Sequence, residues 1–398
     1  MFKNLYFQYA ESKVKFHNGF AYINRIFDSN FWDRYFDIAE RITICFKMDT
    51  EPFSEKDLLT YHVVKDERIS VVAIPNITES MQSYVSIANR KNTDKTITKA
   101  LKECDGAVIR VPSMNGYSAI VYCKKHNIPF LLEVVGDPFA SLSYHSRKGK
   151  ILAFAEKKKM QYYVKNANYC LYVSKHFLQN IYPTKGRQIG CPDANIQYID
   201  EKIIETRIEH IRNHSGTYCL GLIGSLDVDY RGHKELLDAL KLLIENGYDC
   251  KVLFLGPGEK KRWIEYSENL GLSEKVIFSG VLPAGNEVFQ WIDNIDILVM
   301  PAKVESLGRA IIEAMTRGCP VIGAINTAHC EQIGIDCLCD PFSPDSIFQK
   351  IGFLIDNPNY MEYCALENYH RSKKYQNNVS DIIRANFYER FMKMSEER

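Results

Sequence analysis

The second half of the chain alternates short apolar strand patterns with amphipathic helical patterns, and this alternation restricts the fold more than any other feature. The strand patterns Tyr218–Ile223 and Lys251–Leu255 flank Lys234–Glu245, whose apolar residues recur at helical spacing. Strands that alternate with helices over short links form parallel sheets with helices on both faces. The pattern therefore predicts an α/β domain of the doubly wound, Rossmann-like kind.

The first half repeats the alternation less regularly, and 398 residues are too many for one ordinary core. The loop-like stretch GCPDAN, residues 190–195, is the best domain boundary. We predict an N-terminal Rossmann-like domain over 1–195 and a C-terminal one over 196–379, with a cleft between them and ligands at the carboxyl ends of strands. The candidate strands of the first half are Leu5–Tyr9, Thr43–Phe46, Ser70–Ala73, Gly106–Arg110, Phe130–Val135 and Tyr169–Val173.

Composition and cysteine placement indicate the class of protein and its compartment. Hydrophobic residues make up 46% and charged residues 25%, the balance of a soluble globular protein. The N-terminus MFKNLYFQYAESK lacks the pattern of a signal peptide. The 12 cysteines stand mostly alone in or beside apolar segments, as reduced buried thiols do. These features predict a cytoplasmic protein.

The net charge of +1 gives no sign of nucleic-acid binding, although the charge is unevenly distributed. Residues 141–165 carry seven Lys or Arg against the single acid Glu156, with aromatic residues such as Phe154 and Tyr162 between them. A basic helix of this kind can rest on anionic lipid, peripheral to the inner membrane face, or meet a phosphorylated acceptor. A solvated helix face is the alternative, and the sequence leaves both open.

The stretch VESLGRAIIEAMTRGCPVIGA, residues 304–324, contains two carboxylates eight positions apart. Glu305 precedes the helical pattern Leu307–Arg317, and Glu313 lies within it. Ser306 is a suitable N-cap, so the first amides of the helix are expected to be free to bind an anion such as phosphate. Gly308 lets a ligand approach the backbone closely.

Two carboxylates that flank an anion site suit a sugar–diphosphate–ribose ligand. Glu305 can accept hydrogen bonds from polyol hydroxyls beside the anion, and Glu313 lies about 10 Å further along the helix axis. The alternative for Glu313 is a helix-surface pair with Arg309, four residues earlier. Taken alone, the spacing does not decide between these interpretations.

The longer stretch PAKVESLGRAIIEAMTRGCPVI resembles the E-x7-E signature of retaining glycosyltransferases with the GT-B fold, most closely glycosyltransferase family 4. The resemblance implies that Glu305 lies at the donor sugar and Glu313 at the ribose hydroxyls. It also implies that the amides of Ser306, Leu307 and Gly308 face the sugar and diphosphate.

A second stretch, GLIGSLDVDYRGHKELLDAL from residue 221, resembles the donor loop of the same family, in which a strand is followed by a glycine and then by Lys-Gly at a helix start. The match places Gly224 at the strand end and Arg231 at the Lys-Gly position, among the donor-binding residues. Arg231 can neutralise the departing diphosphate, and Lys234 is expected to assist.

This donor loop also departs from the family pattern. Ser225 stands where many members carry a second phosphate-binding arginine, so Lys303 or Arg309 is expected to substitute for it. Asp227 and Asp229 form a D-x-D sequence, which holds a divalent metal in the other large glycosyltransferase fold. Because that fold has a single sheet, we expect no metal here and no cofactor other than the nucleotide-diphosphate-sugar donor.

The first half resembles the acceptor-side domain of bacterial polysaccharide-building members. Asp137, after the predicted strand Phe130–Val135, is the candidate catalytic or acceptor-handling acid, with an Asp-Pro turn residue as the alternative. His145 is a further candidate, and Gly19 is placed to let a loop approach the diphosphate. The resemblance also implies that a C-terminal helix, 380–398, packs back on the first domain.

The sequence therefore predicts a metal-independent, retaining glycosyltransferase with Glu305, Arg231 and Asp137 as catalytic residues. It would move a sugar to a glycan, carried on a polyprenyl-diphosphate lipid, in cell-surface polysaccharide biosynthesis of the capsule, O-antigen or exopolysaccharide kind. Two alternatives remain open at this point. One is a catalytically silent member that binds sugar nucleotides, and the other is a GT-B-fold epimerase or hydrolase.

Overall fold

The computed structural model of the protein describes residues 1–76, 86–143, 147–194, 196–197 and 199–396. The chain forms two compact units. The first comprises Met1–Pro138, Phe154–Cys191 and Asp381–Arg398, and the second comprises Phe139–Ala153 and Pro192–Ser380. The chain thus passes between the units at four places, whereas the sequence predicted one boundary at residue 195 and a return near residue 380.

The first unit contains a nine-stranded sheet built around a long central strand. Its parallel strands run in the order β5-β3-β1-β6-β7-β8-β9, and β2 and β4 extend one end of β1 in antiparallel pairing. The strands are β1 (Leu5–His17), β2 (Phe20–Asn24), β3 (Ile42–Met48), β4 (Tyr61–Val63), β5 (Ile69–Ile74), β6 (Gly106–Val111), β7 (Phe130–Val134), β8 (Tyr169–Tyr172) and β9 (Arg187–Gly190).

The antiparallel extension was not predicted, and its cause is local. The predicted strand Leu5–Tyr9 continues to His17 and turns back through Asn18 and Gly19 into β2. Both turn residues have positive φ, 49° and 81°, as a two-residue hairpin turn requires. Gly19 is therefore a hairpin-turn glycine, with nothing within 4 Å of the position that a Cβ would take.

Helices fill the connections of the first unit and the segment that joins it to the second. They include two long helices whose C-terminal ends lie near the amino ends of β7 and β8. The helices are α1 (Ser29–Phe36), α2 (Ile87–Lys102), α3 (Met114–Lys125), α4 (Pro138–Ser143), α5 (Arg147–Lys165) and α6 (Phe177–Ile181).

The core of the first unit includes the last helix of the chain. Phe387, Tyr388 and Phe391 of this helix lie in the same buried cluster as Phe7 and Trp32. In the same unit the guanidinium of buried Arg110 donates to the carboxylate of buried Glu133.

The second unit contains a six-stranded parallel sheet in the order β12-β11-β10-β13-β14-β15. The order reverses between the neighbouring strands β10 and β13, which is where ligands bind in open α/β sheets. Its strands are β10 (Tyr218–Ile223), β11 (Cys250–Leu255), β12 (Val276–Gly280), β13 (Ile297–Met300), β14 (Val321–Ala324) and β15 (Leu338–Cys339).

The helices of the second unit alternate with these strands, as the periodicity predicted. They are α7 (Lys202–Arg212), α8 (His233–Glu245), α9 (Lys261–Asn269), α10 (Asn286–Asp293), α11 (Arg309–Thr316), α12 (Pro344–Asp356) and α13 (Pro358–Ser372), and α14 (Asn377–Glu396) runs from here into the first unit. The predicted α/β class with two parallel-sheet domains is confirmed. Within the residues that the structure describes, no helix combines the length and apolar character needed to cross a membrane.

Candidate active site

The candidate site lies in the second unit, where the loops after β10 and β13 meet. The amide of Lys303 donates to the carbonyl of Tyr230 at 2.8 Å, which joins the two loops. Gly232, with φ 87°, lies so close to the β13 loop that a Cβ would be 2.4 Å from the carbonyl oxygen of Pro301. Only glycine allows this contact, so the start of α8 is fixed against the end of β13.

Arg231 and Glu305 form an ion pair across these loops. Nη1 of Arg231 donates to Oε2 of Glu305 at 2.6 Å, and both side chains are partly exposed. Gly224, at the end of β10, leaves room for the arginine, because a Cβ there would lie 3.2 Å from its Cγ and Cδ. The structure thus brings together three of the residues that the sequence predicted for the donor site.

The predicted N-cap at Ser306 is wrong. Helix α11 begins at Arg309, and Gly308 is its N-cap, in the left-handed conformation with φ 61°. The reason is the carboxylate of Glu305, whose Oε1 accepts from the amides of Ser306 at 3.0 Å and Leu307 at 3.4 Å. These amides close a turn ahead of the helix and are occupied by Glu305 rather than free.

The electrostatics of the two motif glutamates differ. Burial works to raise the pKa of the Glu305 carboxyl, but the Arg231 guanidinium and its hydrogen bond outweigh burial, so the pKa is lowered. Burial raises the pKa of Glu313, on the second turn of α11, and Arg309 only partly offsets this. The protein therefore favours the ionised form of Glu305 and disfavours that of Glu313, because the Glu313 carboxyl lies in less polar surroundings.

His329 packs against the loop that carries Glu305 and Gly308. His329 is fully buried, and its Nδ1 accepts from the amide of Ala324 at 2.9 Å. Its Nε2 lies beside Gly308 and is buried with no hydrogen-bond partner among the described residues. Burial lowers the pKa of His329 to about 4, so the ring is neutral at neutral pH.

Lys303 and Arg309, the candidates for the missing second arginine, and Lys234, expected to assist Arg231, are not equivalent. Nζ of Lys303 lies 2.5 Å from Oε1 of Glu235, which neutralises it within the protein. Lys234 pairs with Asp238 at 2.7 Å along the exposed face of α8. Arg309 is exposed at the first turn of α11.

The D-x-D carboxylates each have a partner within the protein. Oδ1 of Asp227 accepts from the amide of Glu259 at 2.8 Å, and Asp229 pairs with Arg262 at 2.6 Å. Across the described part of the chain, no three His, Cys, Asp or Glu side chains come together as metal ligands would. The arrangement explains both residues as supports of the loop after β10.

In the first unit, Asp137 follows β7 and accepts a hydrogen bond from the hydroxyl of Tyr182. Burial and this carboxylate raise the pKa of Tyr182, so the tyrosine stays protonated as a donor. Gly19 lies in the β1–β2 hairpin turn. His145, the further candidate, lies outside the described residues.

The sequence reasoning missed His233, Glu235 and His329. His233 is buried between the rings of Trp263 and Phe254, and both of its ring nitrogens lack a partner within the described chain. Burial, with Arg262 and Arg231 nearby, lowers its pKa to about 3. Its place directly after Arg231-Gly232 was the available signal, whereas nothing in the spacing of His329 pointed to the loop it supports.

Comparisons with known proteins agree with this fold. Residues 212–372, which contain both loops, match the family described as Glycosyl transferases group 1. Protein CapJ of Staphylococcus aureus is 28% identical over 343 residues, which is 86% of this chain and 84% of CapJ. The capsular polysaccharide biosynthesis glycosyltransferase CapM of the same organism is 26% identical over 210 residues, covering 50% of this chain and 52% of CapM.

Among solved structures, HepE of Anabaena, crystallised with UDP-glucose, superimposes with a TM-score of 0.64 at 15% identity over 97% of this chain and 99% of that chain. The fold and the crossing point between β10 and β13 define an α/β protein of the GT-B class. More particularly, residues 212–372 are similar to the family described as Glycosyl transferases group 1. Because the matched family and CapM are glycosyltransferases, the comparisons do not favour an epimerase.

Proposed function

We propose that this protein transfers a sugar from a nucleotide-diphosphate-sugar donor to a glycan acceptor, with retention of configuration at the anomeric carbon. The observation that carries the proposal is the Arg231–Glu305 pair at the point where the strand order reverses. It joins a cation, an ionised carboxylate and a helix start inside the domain matched by the glycosyltransferase family. The second unit binds the donor, and the first unit binds the acceptor.

In this proposal Arg231 stabilises the negative charge that develops on the departing diphosphate. One of its nitrogens is bonded to Glu305, and its Nε is buried without a partner among the described residues. A guanidinium has five N–H donors, so Arg231 can meet a phosphate without leaving Glu305. Gly224 keeps the space for the arginine, and Lys234, at the start of α8, assists by exchanging its partner Asp238 for the phosphate.

Glu305 binds the hydroxyls of the donor sugar, and Glu313 binds those of the ribose. In the ligand-free arrangement Glu305 occupies the amides of Ser306 and Leu307. For these amides and Gly308 to meet the diphosphate, the carboxylate must exchange them for sugar hydroxyls when the donor binds. Donor binding is therefore coupled to a rearrangement of the turn before α11.

The reaction needs no metal and no cofactor beyond the donor. The charge that a metal would neutralise is met by Arg231, with Arg309 as the exposed second cation, because Glu235 already neutralises Lys303. Activity that survives a chelator unchanged is the expected result. Activity that disappears with the chelator and returns with Mg²⁺ would contradict this part of the proposal.

The acceptor is a glycan of cell-surface polysaccharide biosynthesis, of the capsule, O-antigen or exopolysaccharide kind. CapM is named for capsular polysaccharide biosynthesis, and CapJ aligns with most of this chain. Asp137 handles the acceptor, with its carboxylate held by the Tyr182 hydroxyl. Gly19 keeps its proposed role of letting the β1–β2 turn approach the diphosphate, and this role rests on the resemblance alone.

We further propose that the acceptor is carried on a polyprenyl-diphosphate lipid at the cytoplasmic membrane face. The exposed side of α5 supports this, because Ile151, Phe154 and Tyr162 lie on it together with Lys158, whose Nζ lies 5.4 Å from the Phe154 ring centroid. Apolar side chains with lysines beside them suit an interface between lipid tails and anionic headgroups.

A panel of UDP-, GDP- and ADP-sugars tests the donor assignment. A donor that binds only the folded protein raises its melting temperature. For that donor, release of the nucleoside diphosphate and NMR of the product's anomeric proton report transfer and its stereochemistry. Glu305→Gln should abolish both the thermal shift and the release, while Glu362→Gln, whose carboxylate pairs with Arg212 at the surface of the same unit, should leave them unchanged.

If no nucleotide sugar shifts the melting temperature and no nucleoside diphosphate appears, the donor assignment is wrong. An inverted anomeric product would contradict retention alone. Shifts by donors without turnover would identify a silent sugar-nucleotide binder.

A further inference from the structure

The first unit has a cavity of about 630 Å³ at the amino ends of β7, β8 and β9. This is the edge of the sheet opposite to the loop that carries Asp137. The volume is within the usual range for a small-molecule site, roughly 300–1,000 Å³. Its charged and amide side chains are Lys124, Asn127, Asn166, Asn168, Lys185 and Arg187, and Tyr169 and Ser395 add hydroxyl groups.

Two of the cations stand on a rigid support. Lys185 and Arg187 flank Gly186, where a Cβ would lie 2.3 Å from the carbonyl oxygen of Ala167. The amide of Arg187 donates to the carbonyl of Asn168 at 2.8 Å, and that of Lys185 donates to Lys165 at 3.2 Å. The turn before β8 and the start of β9 are thus locked together, which fixes where the two side chains begin.

The cavity is strongly positive. None of its lining residues is Asp or Glu, and within the described ranges no carboxylate pairs with Lys124, Lys185 or Arg187. The C-terminal ends of α3 and α5 face the same edge, but each contributes only about −0.5 of a charge. Three positive charges therefore exceed the helix dipoles by about two units. Burial also lowers the pKa of Lys124, as expected for a cation that lacks a counter-ion.

The remaining lining suits a polyhydroxylated body beside the anion. Three asparagine amides offer donors and acceptors to hydroxyl groups, and the amide nitrogen of Asn166 already donates to the carbonyl of Tyr162, which orients its oxygen. Phe130, Tyr169 and Phe391 also line the cavity, the last two as largely buried rings. Cations, amides and aromatic surface together match a phosphate joined to a sugar-like ring better than a bare anion.

We propose that this cavity binds a phosphorylated polyol of the sugar-phosphate type, at a site separate from the one that contains Arg231 and Glu305. The site does not depend on the proposed donor chemistry, because its residues lie in the first unit and at the amino edge of its sheet. Its phosphate would contact Lys185 and Arg187, with Lys124 on the opposite wall.

Isothermal titration of the full chain with glucose 1-phosphate tests the proposal. Arg187→Ala and Lys185→Ala should each weaken binding by about tenfold or more, the usual cost of removing a charged hydrogen-bond donor. Arg187→Lys should recover part of the loss. Lys125→Ala, an exposed lysine on α3 that does not line the cavity, is the matched control and should change nothing.

An Arg231→Ala background separates this site from the donor site. Unchanged glucose 1-phosphate affinity there, with loss in the cavity variants, would support the proposal whether or not the protein proves to be a transferase. Loss in Arg231→Ala with no effect of the cavity variants would overturn it. Absence of binding by glucose 1-phosphate and by lipid would also overturn it, and equal affinity for inorganic phosphate would overturn the polyol part.

The same phosphate and polyol chemistry occurs on a lipid headgroup. Binding to a lipid headgroup is tested by sedimenting the protein with vesicles that contain phosphatidylinositol and, as the control, with vesicles of phosphatidylcholine alone. Sedimentation with the first vesicles that is lost in Arg187→Ala, without binding of glucose 1-phosphate, would assign the phosphate to a membrane lipid. Titration by glucose 1-phosphate alone would assign it to a soluble ligand.

Discussion

Two arginine–glutamate pairs, one in each unit, have the same donor–acceptor distance and different surroundings. In the first unit Arg110 and Glu133 lie 2.6 Å apart, with side chains 6% and 2% exposed. In the second unit Arg231 and Glu305 are also 2.6 Å apart, but their side chains are 27% and 18% exposed. Distance alone therefore does not distinguish a structural ion pair from a functional one.

The difference lies in what satisfies the remaining polar atoms. The second oxygen of Glu133 accepts from the hydroxyls of Tyr35 and Tyr388, so the protein itself completes the first pair. Within the described chain, the second oxygen of Glu305 accepts from the amides of its own turn, and Nε of Arg231 has no partner there. The guanidinium of the second pair therefore keeps a hydrogen-bond donor that the described residues do not use.

The largest expected effect comes from breaking the first pair. Glu133→Gln leaves the Arg110 charge buried without its counter-ion, which costs about 3–5 kcal/mol of unfolding free energy. Urea unfolding, followed by far-UV circular dichroism, would show the loss. Glu305→Gln is the matched change in the second unit and should cost less, about 1 kcal/mol, because this pair is partly open to water, which weakens its ion pair. Equal losses would show that the two pairs do not differ as described.

Breaking the second pair should affect activity instead. Arg231→Ala removes the cation that faces the developing diphosphate charge, so we expect kcat/KM to fall about 100- to 1,000-fold. The urea midpoint should hardly move. Nucleoside-diphosphate release with the preferred donor is the measurement.

The control for this prediction is Arg212→Ala, which removes an exposed arginine paired with Glu362 in the same unit. It should leave the rate unchanged. A fall in rate that follows only from lower stability would remove the functional distinction between the two pairs.

The sequence predicted the second pair better than the first. Short links and clear periodicity predicted β10 at its observed bounds, and the resemblance singled out Arg231 and Glu305 separately. Their direct contact could not be predicted, because it depends on how two loops 74 residues apart meet at the sheet edge. The false N-cap at Ser306 has a similar origin, since a carboxylate that folds back onto its own turn leaves no trace in the spacing.

The Arg110–Glu133 pair could not be predicted from the sequence, for a different reason. Arg110 was read as the end of an apolar strand and Glu133 as part of another. Neighbouring strands place them side by side, in register, and Tyr388 arrives from 255 residues away. Local patterns carry no information about such distant partners.

The antiparallel continuation of β1 was missed for another reason. A two-residue turn joins β1 to β2 with no helix between them, so the strand–helix alternation gave no sign of it.

The two pairs should also differ, by a smaller amount, in how the free energy of unfolding around them depends on pH. His329 interacts electrostatically with Glu305 and Arg231, and its pKa is about 4 in the folded chain against about 6.5 unfolded. Below pH 6.5 the unfolded state binds the proton of His329 more readily than the folded state does. The contribution of the neutral ring to the free energy of unfolding is therefore fully present above that pH and is lost as the pH drops toward 4. At pH 5 this costs about 2 kcal/mol.

His329→Asn tests the pH effect, because its amide oxygen can still accept from the Ala324 amide without titrating. The difference in urea midpoint between pH 7.5 and pH 5 should shrink in this variant by an amount equivalent to about 2 kcal/mol. Glu133 is surrounded by tyrosine hydroxyls, which do not titrate in this range, so Tyr35→Phe should leave the pH difference unchanged. An identical pH difference in His329→Asn would exclude this source of acid sensitivity.

The smallest expected effect concerns the hydroxyl that ties the last helix to the first pair. Burial and Glu133 raise the pKa of Tyr388, so the hydroxyl remains a donor to the carboxylate throughout the accessible pH range. Tyr388→Phe keeps the ring in the core and removes only this hydrogen bond, which should cost about 1 kcal/mol because Arg110 and Tyr35 still hold Glu133. In Glu133→Gln the same substitution should cost less, since the charge that strengthened the bond is gone. A double-mutant cycle by urea unfolding measures that difference, and a coupling energy of zero would mean that α14 is held by its aromatic packing alone.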